Sequence, residues 1–369
     1  MNSIMNNVSD SLCSDKRVSF EEGVDLIKSY DLIGLGTAAD KVCQELHPEQ
    51  YKTYIIDRNI NYTNVCVSGC KFCAFYRVKD NKEGYILGKD KLFKKIEETI
   101  SLGGTQILMQ GGLHPDLKID FYTDLLKSIK EKFTIHIHSF SPPEIIHFSN
   151  LNNLPVKEVL ALLKDAGLDT IPGGGAEILT DRCRGLLSPH KCSVSEWLQV
   201  MKEAHNLGIR STATMMFGHI ETLEERIIHL DKIRQLQDET GGFTAFIPWT
   251  FQPKNTALSL PAGKKAAFEV GGFDYLKTLA VSRLYLDNVP NIQASWVTQG
   301  SKIAQLALRF GANDMGSTMI EENVVRAAGV SYRLSKEEIV SLIENLGFEA
   351  RQRDCYYNLE PFNTTSSKS

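Results

Sequence analysis

Short apolar segments alternate with amphipathic helical segments along most of this chain, and that alternation constrains the fold more than any other feature. Tyr122, Leu125, Leu126 and Ile129, for example, share one helix face. Strands that alternate with helices form parallel sheets, so eight such units predict a closed (β/α)8 barrel of the TIM type. A six-unit partial barrel with an appended C-terminal domain is the alternative. The predicted strands lie at 54–60, 106–110, 134–139, 169–172, 211–217, 243–249, 291–297 and 311–317.

The same pattern divides the 369 residues into three parts. Residues 1–50 are predicted to be an N-terminal helical extension, after a frayed lead, with Ser19 and Glu22 spaced as a capping box. Residues 51–320 are predicted to form the barrel, including a loop at roughly 255–272 that is rich in Gly, Ala and Lys. Residues 321–369 are predicted to be a helical segment with a disordered tail.

Composition excludes several classes of protein. The net charge of −4 and the absence of a Lys/Arg block argue against a nucleic-acid binder. No apolar run approaches the ~20 residues of a membrane span, and the first 15 residues lack an apolar signal core. We therefore expect a soluble, cytoplasmic protein. Five of the eight cysteines are scattered, which does not indicate a secreted disulfide framework.

The other three cysteines lie close together. Cys66, Cys70 and Cys73 have the spacing C-x3-C-x2-C directly after the first predicted strand. Three thiolates can bind one soft metal centre, but a structural zinc site usually has four protein ligands. A 4Fe–4S cluster with three Cys ligands keeps one iron open for a small molecule. A zinc knuckle and three ordinary buried cysteines are the alternatives.

This spacing resembles that of the radical S-adenosylmethionine (radical SAM) enzymes, in which SAM binds at the open iron. Phe72, an aromatic residue just before the last cysteine, fits that pattern. The resemblance implies SAM contacts at the carboxyl ends of the strands, where barrel enzymes place their sites. Gln110, Gly111 and Gly112 resemble the segment that binds the SAM amino group, although no acid follows Gly112.

Two further segments end predicted strands. Glu177 closes a Gly-rich stretch after the fourth strand and could accept hydrogen bonds from a ribose or an amino group; a flexible turn is the alternative. Met216 and Gly218 resemble the segment that lines the adenine. Glu221, which ends that segment, is equally consistent with a charge at a helix N-terminus.

Candidate proton-transfer residues follow from alternation. His136 and His138 share one face of the third strand, and Glu144 follows them. A polar pair in the barrel interior is the alternative for the two histidines. Trp249 and Trp296 could stack on an aromatic substrate, with core packing as the alternative.

Longer segments narrow the resemblance to one family. The stretches 57–66, 73–77, 104–112, 136–144, 172–177 and 248–252 resemble the cyclic dehypoxanthine futalosine synthases of the futalosine route to menaquinone. The resemblance implies an enzyme with a 4Fe–4S cluster and SAM as cofactors. It also implies dehypoxanthine futalosine as the substrate and a reductant such as flavodoxin or ferredoxin as a partner.

The reaction that the resemblance implies is a cyclisation. Hydrogen is removed from ribose C4′, the carbon radical adds to the benzoate ring, and loss of a proton and an electron closes the product. We hypothesise that a base near His138 or Glu144 takes the proton. Aminofutalosine synthase, a related radical SAM enzyme of deazaflavin synthesis and a structural zinc protein are the competing interpretations.

Overall fold

The secondary structure of the chain follows the alternation in its sequence. The structure, a computed structural model, describes residues 17–258, 270–330 and 332–361. Helices α1 to α13 span Phe20–Lys28, Leu32–Leu46, Lys89–Ser101, Ile119–Lys132, Pro142–Asn152, Val156–Asp165, Asp181–Leu187, Val194–Asn206, Leu223–Thr240, Gly272–Tyr285, Trp296–Ala307, Val324–Ala327 and Lys336–Glu344. Strands β1 to β9 span Tyr51–Ile55, Asp57–Asn61, Gln106–Gln110, His136–Ser139, Ser211–Phe217, Phe243–Thr250, Asn291–Ile292, Asp314–Ser317 and Glu349–Gln352.

Parallel pairing closes the strands into a ring of eight. The strand pieces β1 and β2 follow each other directly, and β2 pairs with β3, which pairs with β4. Single bridges link β4 to Thr170 and Ile171 to β5. Strand β5 pairs with β6 and β6 with β7, and Gln293 then bridges to Asp314 of β8. Strand β8 pairs with β1, so the predicted (β/α)8 barrel is confirmed and the six-unit alternative is wrong.

Several predicted boundaries are wrong. The fourth strand, predicted at 169–172, is reduced to the two bridges. The seventh, predicted at 291–297, ends at Ile292, because residues from Trp296 onward begin helix α11. The predicted eighth strand begins only at Asp314. The predicted disordered tail falls partly outside the described residues, as do the frayed lead and much of the loop at 255–272.

Capping boxes fix where several helices begin. The predicted box of Ser19 and Glu22 starts α1, and the N-terminal helical segment then divides into α1 and α2. In such a box a serine or threonine side chain accepts a backbone N–H, and a glutamate three residues later accepts one in return. The same device starts α5, where Glu144 is the glutamate. The other boxes are Ser193 with Glu196, Thr222 with Glu225, and Ser335 with Glu338.

The C-terminal strand β9 was not predicted. It pairs in parallel with β1 on the edge opposite β8, from Tyr51 opposite Glu349 to Tyr54 opposite Gln352. The chain then continues under the barrel, where Arg353 donates to both carboxylate oxygens of Asp314 at 2.5 and 2.9 Å. The C-terminal segment therefore closes the end of the barrel opposite the cysteine loop.

Candidate active site

The cysteine loop leaves the carboxyl end of β2 and lies beside the segment that follows β3. Val67 donates its N–H to the carbonyl of Leu113 at 3.0 Å, and Gly112 donates to Thr63 at 2.9 Å. The N–H of Cys66 donates to the carbonyl of Arg77 at 2.9 Å. These backbone bonds hold the loop that carries the three cysteines against the Gly-Gly segment.

Burial and neighbouring thiols hinder the ionisation of two of the three cysteines. Burial raises the pKa of Cys66 and of Cys73, backbone N–H groups oppose the rise, and the neighbouring thiols add to it. Ionising all three places like charges together in a partly dry loop, which is costly without a positive centre. Metal binding and thiol deprotonation are coupled for this reason. The donor set therefore fits an iron–sulfur cluster, which cysteine thiolates hold.

A single metal ion needs closer ligands than a cluster does. Among the residues that the structure describes, no three His, Cys, Asp or Glu side chains are grouped to hold one ion. A four-iron cluster binds each thiolate at a different iron, so its ligands stand further apart than those of one zinc ion. The lack of such a group among the described residues therefore concerns single-ion sites and not the wider spacing of a cluster.

The two glycines after β3 make room for the cysteine loop. A Cβ at Gly112 would lie 2.2 Å from the carbonyl oxygen of Val65 and 2.9 Å from Cβ of Cys66. A Cβ at Gly111 would lie 2.5 Å from the ring of Tyr62. Backbone can therefore approach the loop only because both residues lack side chains.

Glu144 supports this Gly-Gly segment from below. Its Oε1 accepts hydrogen bonds from the Tyr62 hydroxyl at 2.5 Å and from the N–H of Gly111 at 3.0 Å. Its Oε2 accepts from the N–H and the hydroxyl of Ser141 at 2.8 and 2.5 Å. Burial raises the pKa of Glu144, and these four hydrogen bonds oppose that rise. The carboxylate is thus engaged in positioning backbone, and it does not line the cavity described next.

A cavity of about 270 Å³ occupies the barrel interior. Of the predicted site residues it brings together Gln110, His138 and Glu177, whereas Phe72, Met216, Gly218 and the three cysteines lie outside its lining. Both Trp249 and Trp296 line it too. The floor is built by residues that sequence reasoning missed: Arg353, Cys355 and Tyr357.

Glu177 presents a free carboxylate oxygen at the cavity wall. Its Oε1 accepts a hydrogen bond from Nζ of Lys191 at 2.8 Å, while its buried Oε2 has no hydrogen-bond partner among the described residues. Arg184 is an ion-pair neighbour of Oε2 at 4.0 Å. A buried acceptor that lacks a donor is costly. An amino or hydroxyl group of a bound ligand can supply that donor.

Lys191 was missed by sequence reasoning, and it joins two predicted residues. Its ammonium lies 5.3 Å from the ring centre of Phe72 and pairs with Glu177. Burial lowers the pKa of Lys191, but the charges of Glu177 and Cys70 together raise it by more than burial lowers it. The net pKa is above the ordinary value, so the side chain is positively charged. The site therefore carries positive charge between the cysteine loop and Glu177.

Met216 and Gly218 lie at the end of β5, next to Glu177. The N–H of Met216 donates to the carbonyl of Glu177 at 3.0 Å. Gly218 has φ +88°, and its N–H donates to Glu221 at 2.7 Å. Glu221 also forms an ion pair with Arg226 at 2.9 Å, so a structural role is sufficient to explain a carboxylate at this position.

Comparisons with known proteins identify the family. A model of the radical SAM superfamily matches residues 60–233, and a model of the CofH/MqnC C-terminal region matches residues 240–366. A cyclic dehypoxanthine futalosine synthase from Halalkalibacterium halodurans is 48% identical over 345 residues, 93% of this chain and 92% of that protein. The chain belongs to the radical SAM superfamily. The predicted class of enzyme and its cofactors, a 4Fe–4S cluster and SAM, are thereby confirmed.

Relatives under other names are also similar to this chain. A 5-amino-6-(D-ribitylamino)uracil–L-tyrosine 4-hydroxyphenyl transferase from Archaeoglobus fulgidus is 43% identical, covering 87% of this chain and 92% of that protein. An aminodeoxyfutalosine synthase from Thermus thermophilus is 40% identical, covering 95% and 94%. Relatives that are 40% or more identical to this chain therefore carry more than one named activity.

A solved structure supports the fold. Methylornithine synthase has a TM-score of 0.71 at 17% identity, with coverage of 93% of this chain and 97% of that one.

Within the described parts of the chain, none of the helices combines the length and the hydropathy that crossing a membrane requires.

Proposed function

We propose that this chain is a radical SAM cyclase that converts dehypoxanthine futalosine to cyclic dehypoxanthine futalosine in menaquinone biosynthesis. The observation that carries the proposal is the 48% identity to a protein of that name over 93% of the chain. The cavity supports it, because aromatic side chains and a few convergent polar groups line this space in the barrel interior.

Cys66, Cys70 and Cys73 would hold the cluster, and Phe72 would pack beside it under Lys191. Bound there, the cluster and SAM supply the radical that removes hydrogen from C4′ of the substrate ribose. Gln110, Gly111 and Gly112, with Glu177, Met216 and Gly218, would hold SAM. In this arrangement Glu177 accepts hydrogen bonds from SAM through its free oxygen, and the Gly-Gly backbone packs closely against the loop that carries the three cysteines.

The remaining residues orient the substrate and exclude water. Trp249 and Trp296 supply flat apolar surface for the benzoate ring, and Trp296 is fixed because its Nε1 donates to the carbonyl of Ser317 at 2.9 Å. The C-terminal segment closes the floor, so a reactive carbon radical would be formed in a dry space. His138 lines the same space and accepts the proton that cyclisation releases. Glu144 stays a candidate for that role, but its four hydrogen bonds favour His138.

The test is an anaerobic assay of reconstituted protein with SAM, dehypoxanthine futalosine and a reductant, read by mass spectrometry. We expect the cyclised product together with free 5′-deoxyadenosine, and flavodoxin or ferredoxin to replace a chemical reductant. Aminofutalosine synthase would instead incorporate the adenosyl group into its product. Reductive cleavage of SAM without any cyclised product would overturn the proposal.

A further inference from the structure

Two histidines and a threonine form a continuous hydrogen-bonded line from the cavity outward. Nδ1 of His138 lies 2.7 Å from Oγ1 of Thr170, and Nε2 of His136 lies 2.7 Å from the same oxygen. His138 lines the cavity, whereas His136 lies two residues nearer the amino end of β4 and is partly exposed. The three side chains therefore connect the cavity to the opposite end of the barrel.

Sheet geometry explains why they meet. His136 and His138 alternate on β4, so they share a face. Thr170 bridges to His138 in parallel and lies beside both rings, almost completely buried. A β-branched residue holds its χ1 angle firmly, so the hydroxyl stays between the two imidazoles.

Counting protons limits the directions that these hydrogen bonds can take. A threonine hydroxyl donates one hydrogen bond and accepts two. It has three neighbours here, since Sγ of Cys355 lies 3.4 Å away. One arrangement that forms all three bonds has the hydroxyl donate to one imidazole and accept from the other and from the thiol.

We propose that His138, Thr170 and His136 form a proton relay that carries the proton lost in product formation out of the cavity. This inference rests on the proposed function. In the resting state Nδ1–H of His138 donates to Thr170, and the Thr170 hydroxyl donates to Nε2 of His136. Nε2 of His138 is then a free acceptor that faces the substrate.

The relay moves one proton from the substrate to water. The substrate C–H proton moves to Nε2 of His138, and the C–H electron pair stays on the ring. The Nδ1 proton moves to Oγ1 of Thr170, whose own proton moves to Nε2 of His136, and His136 releases its Nδ1 proton to water. The single electron that restores the aromatic ring goes to a one-electron acceptor of the iron–sulfur class.

Burial keeps both rings of the relay neutral. Burial lowers the pKa of His138 to about 3 and that of His136 to about 4, so both rings are neutral before reaction. Around His136, the carboxylates of Asp169 and Asp354 oppose the lowering, while Lys130 adds to it. A proton that reaches the outer ring thus meets acidic side chains near the surface.

Substitution of Thr170 tests the relay. Thr170→Val removes the hydroxyl and keeps the shape, whereas Thr170→Ser keeps the hydroxyl. We expect the yield of cyclised product per 5′-deoxyadenosine to fall at least tenfold in Thr170→Val and to be retained in Thr170→Ser. Thr99→Val is the matched control, because Thr99 is also fully buried but its hydroxyl donates only within its own helix.

A second readout does not depend on turnover. Nitrogen-15 NMR of the full-length protein with labelled histidine should show His138 protonated at Nδ1 and bare at Nε2. It should show His136 bare at Nε2. A wild-type product ratio in Thr170→Val, or a proton on Nε2 of His138, would overturn the relay. If the wild-type protein forms no cyclised product, the proposed function fails, and the NMR result still decides the proton arrangement.

Discussion

The ion pair between Arg353 and Asp314 offers the sharpest test of how the barrel is closed. Their side chains are 5% and 0% exposed, and two hydrogen bonds of 2.5 and 2.9 Å join them. The pair links the C-terminal segment to strand β8. Arg353→Met would leave the Asp314 carboxylate buried without its cation, since methionine fills similar space without charge.

The magnitude follows from burial. Two unit charges 4 Å apart at an effective permittivity of about 20 interact by about 4 kcal/mol. Removing one partner of a buried pair costs about 3–5 kcal/mol. We therefore expect the free energy of unfolding of Arg353→Met to fall by about 4 kcal/mol, measured by urea denaturation with tryptophan fluorescence under anaerobic conditions.

Arg351→Met is the matched control, two residues earlier in the same segment. Arg351 pairs with Glu349 at 2.9 Å, but the two side chains are 42% and 61% exposed. Exposed pairs contribute about 0–1 kcal/mol. Equal losses in the two variants would refute the argument from burial. Adding Asp314→Asn to Arg353→Met should recover part of the loss, because no unpaired charge then remains.

Three further predictions concern the site and the buried histidines. Gly112→Ala should lower iron and sulfide content sharply, because a Cβ there overlaps Val65 and Cys66, whereas Gly88→Ala, with open space around it, should not. Burial lowers the pKa of both His138 and His229 to about 3 from an ordinary 6.5. A histidine whose pKa is lower in the folded protein stabilises the fold fully above pH 6.5, and this stabilisation is lost as the pH falls toward 3. The free energy of unfolding should therefore be lower at pH 5 than at pH 7 by about 2 kcal/mol for each histidine. Urea denaturation at pH 7 and pH 5 measures this difference, and His229→Gln should reduce it by the contribution of His229. An equal pH dependence of the unfolding free energy in the variant and the wild-type protein would contradict the prediction. Glu177→Gln should weaken SAM binding about tenfold, or about 1.4 kcal/mol, by calorimetry, and unaltered affinity would remove Glu177 from that role.

Most of the barrel could be predicted because its signals are local. Helix faces repeat within one turn, and the strands β3 and β5 are short apolar runs between breakers. The seventh strand was overextended because an apolar run does not distinguish a strand from the buried start of a helix. Trp296, which was assigned to that strand, begins α11 instead.

Non-local contacts could not be predicted in the same way. Strand β9 has the sequence Glu-Ala-Arg-Gln, without apolar alternation, and it pairs with β1 some 298 positions away, as Tyr51 lies opposite Glu349. Lys191 lies in no periodic segment, and its ion pair with Glu177 exists only in the folded chain. The predicted cofactor residues follow motif spacing and stay predictions at the level of individual contacts.

The pairing of β9 with β1 also bears on synthesis of the protein. The first strand of the barrel has its neighbours in the last third of the chain, at β8 and β9. Contacts between the two ends of a chain are slow to form, because a long loop must close first. Nearly the whole polypeptide must therefore leave the ribosome before β1 can pair with both of its neighbouring strands. A cluster inserted into the cysteine loop during translation would lie in a barrel that has not yet closed. We therefore expect cluster insertion to follow translation.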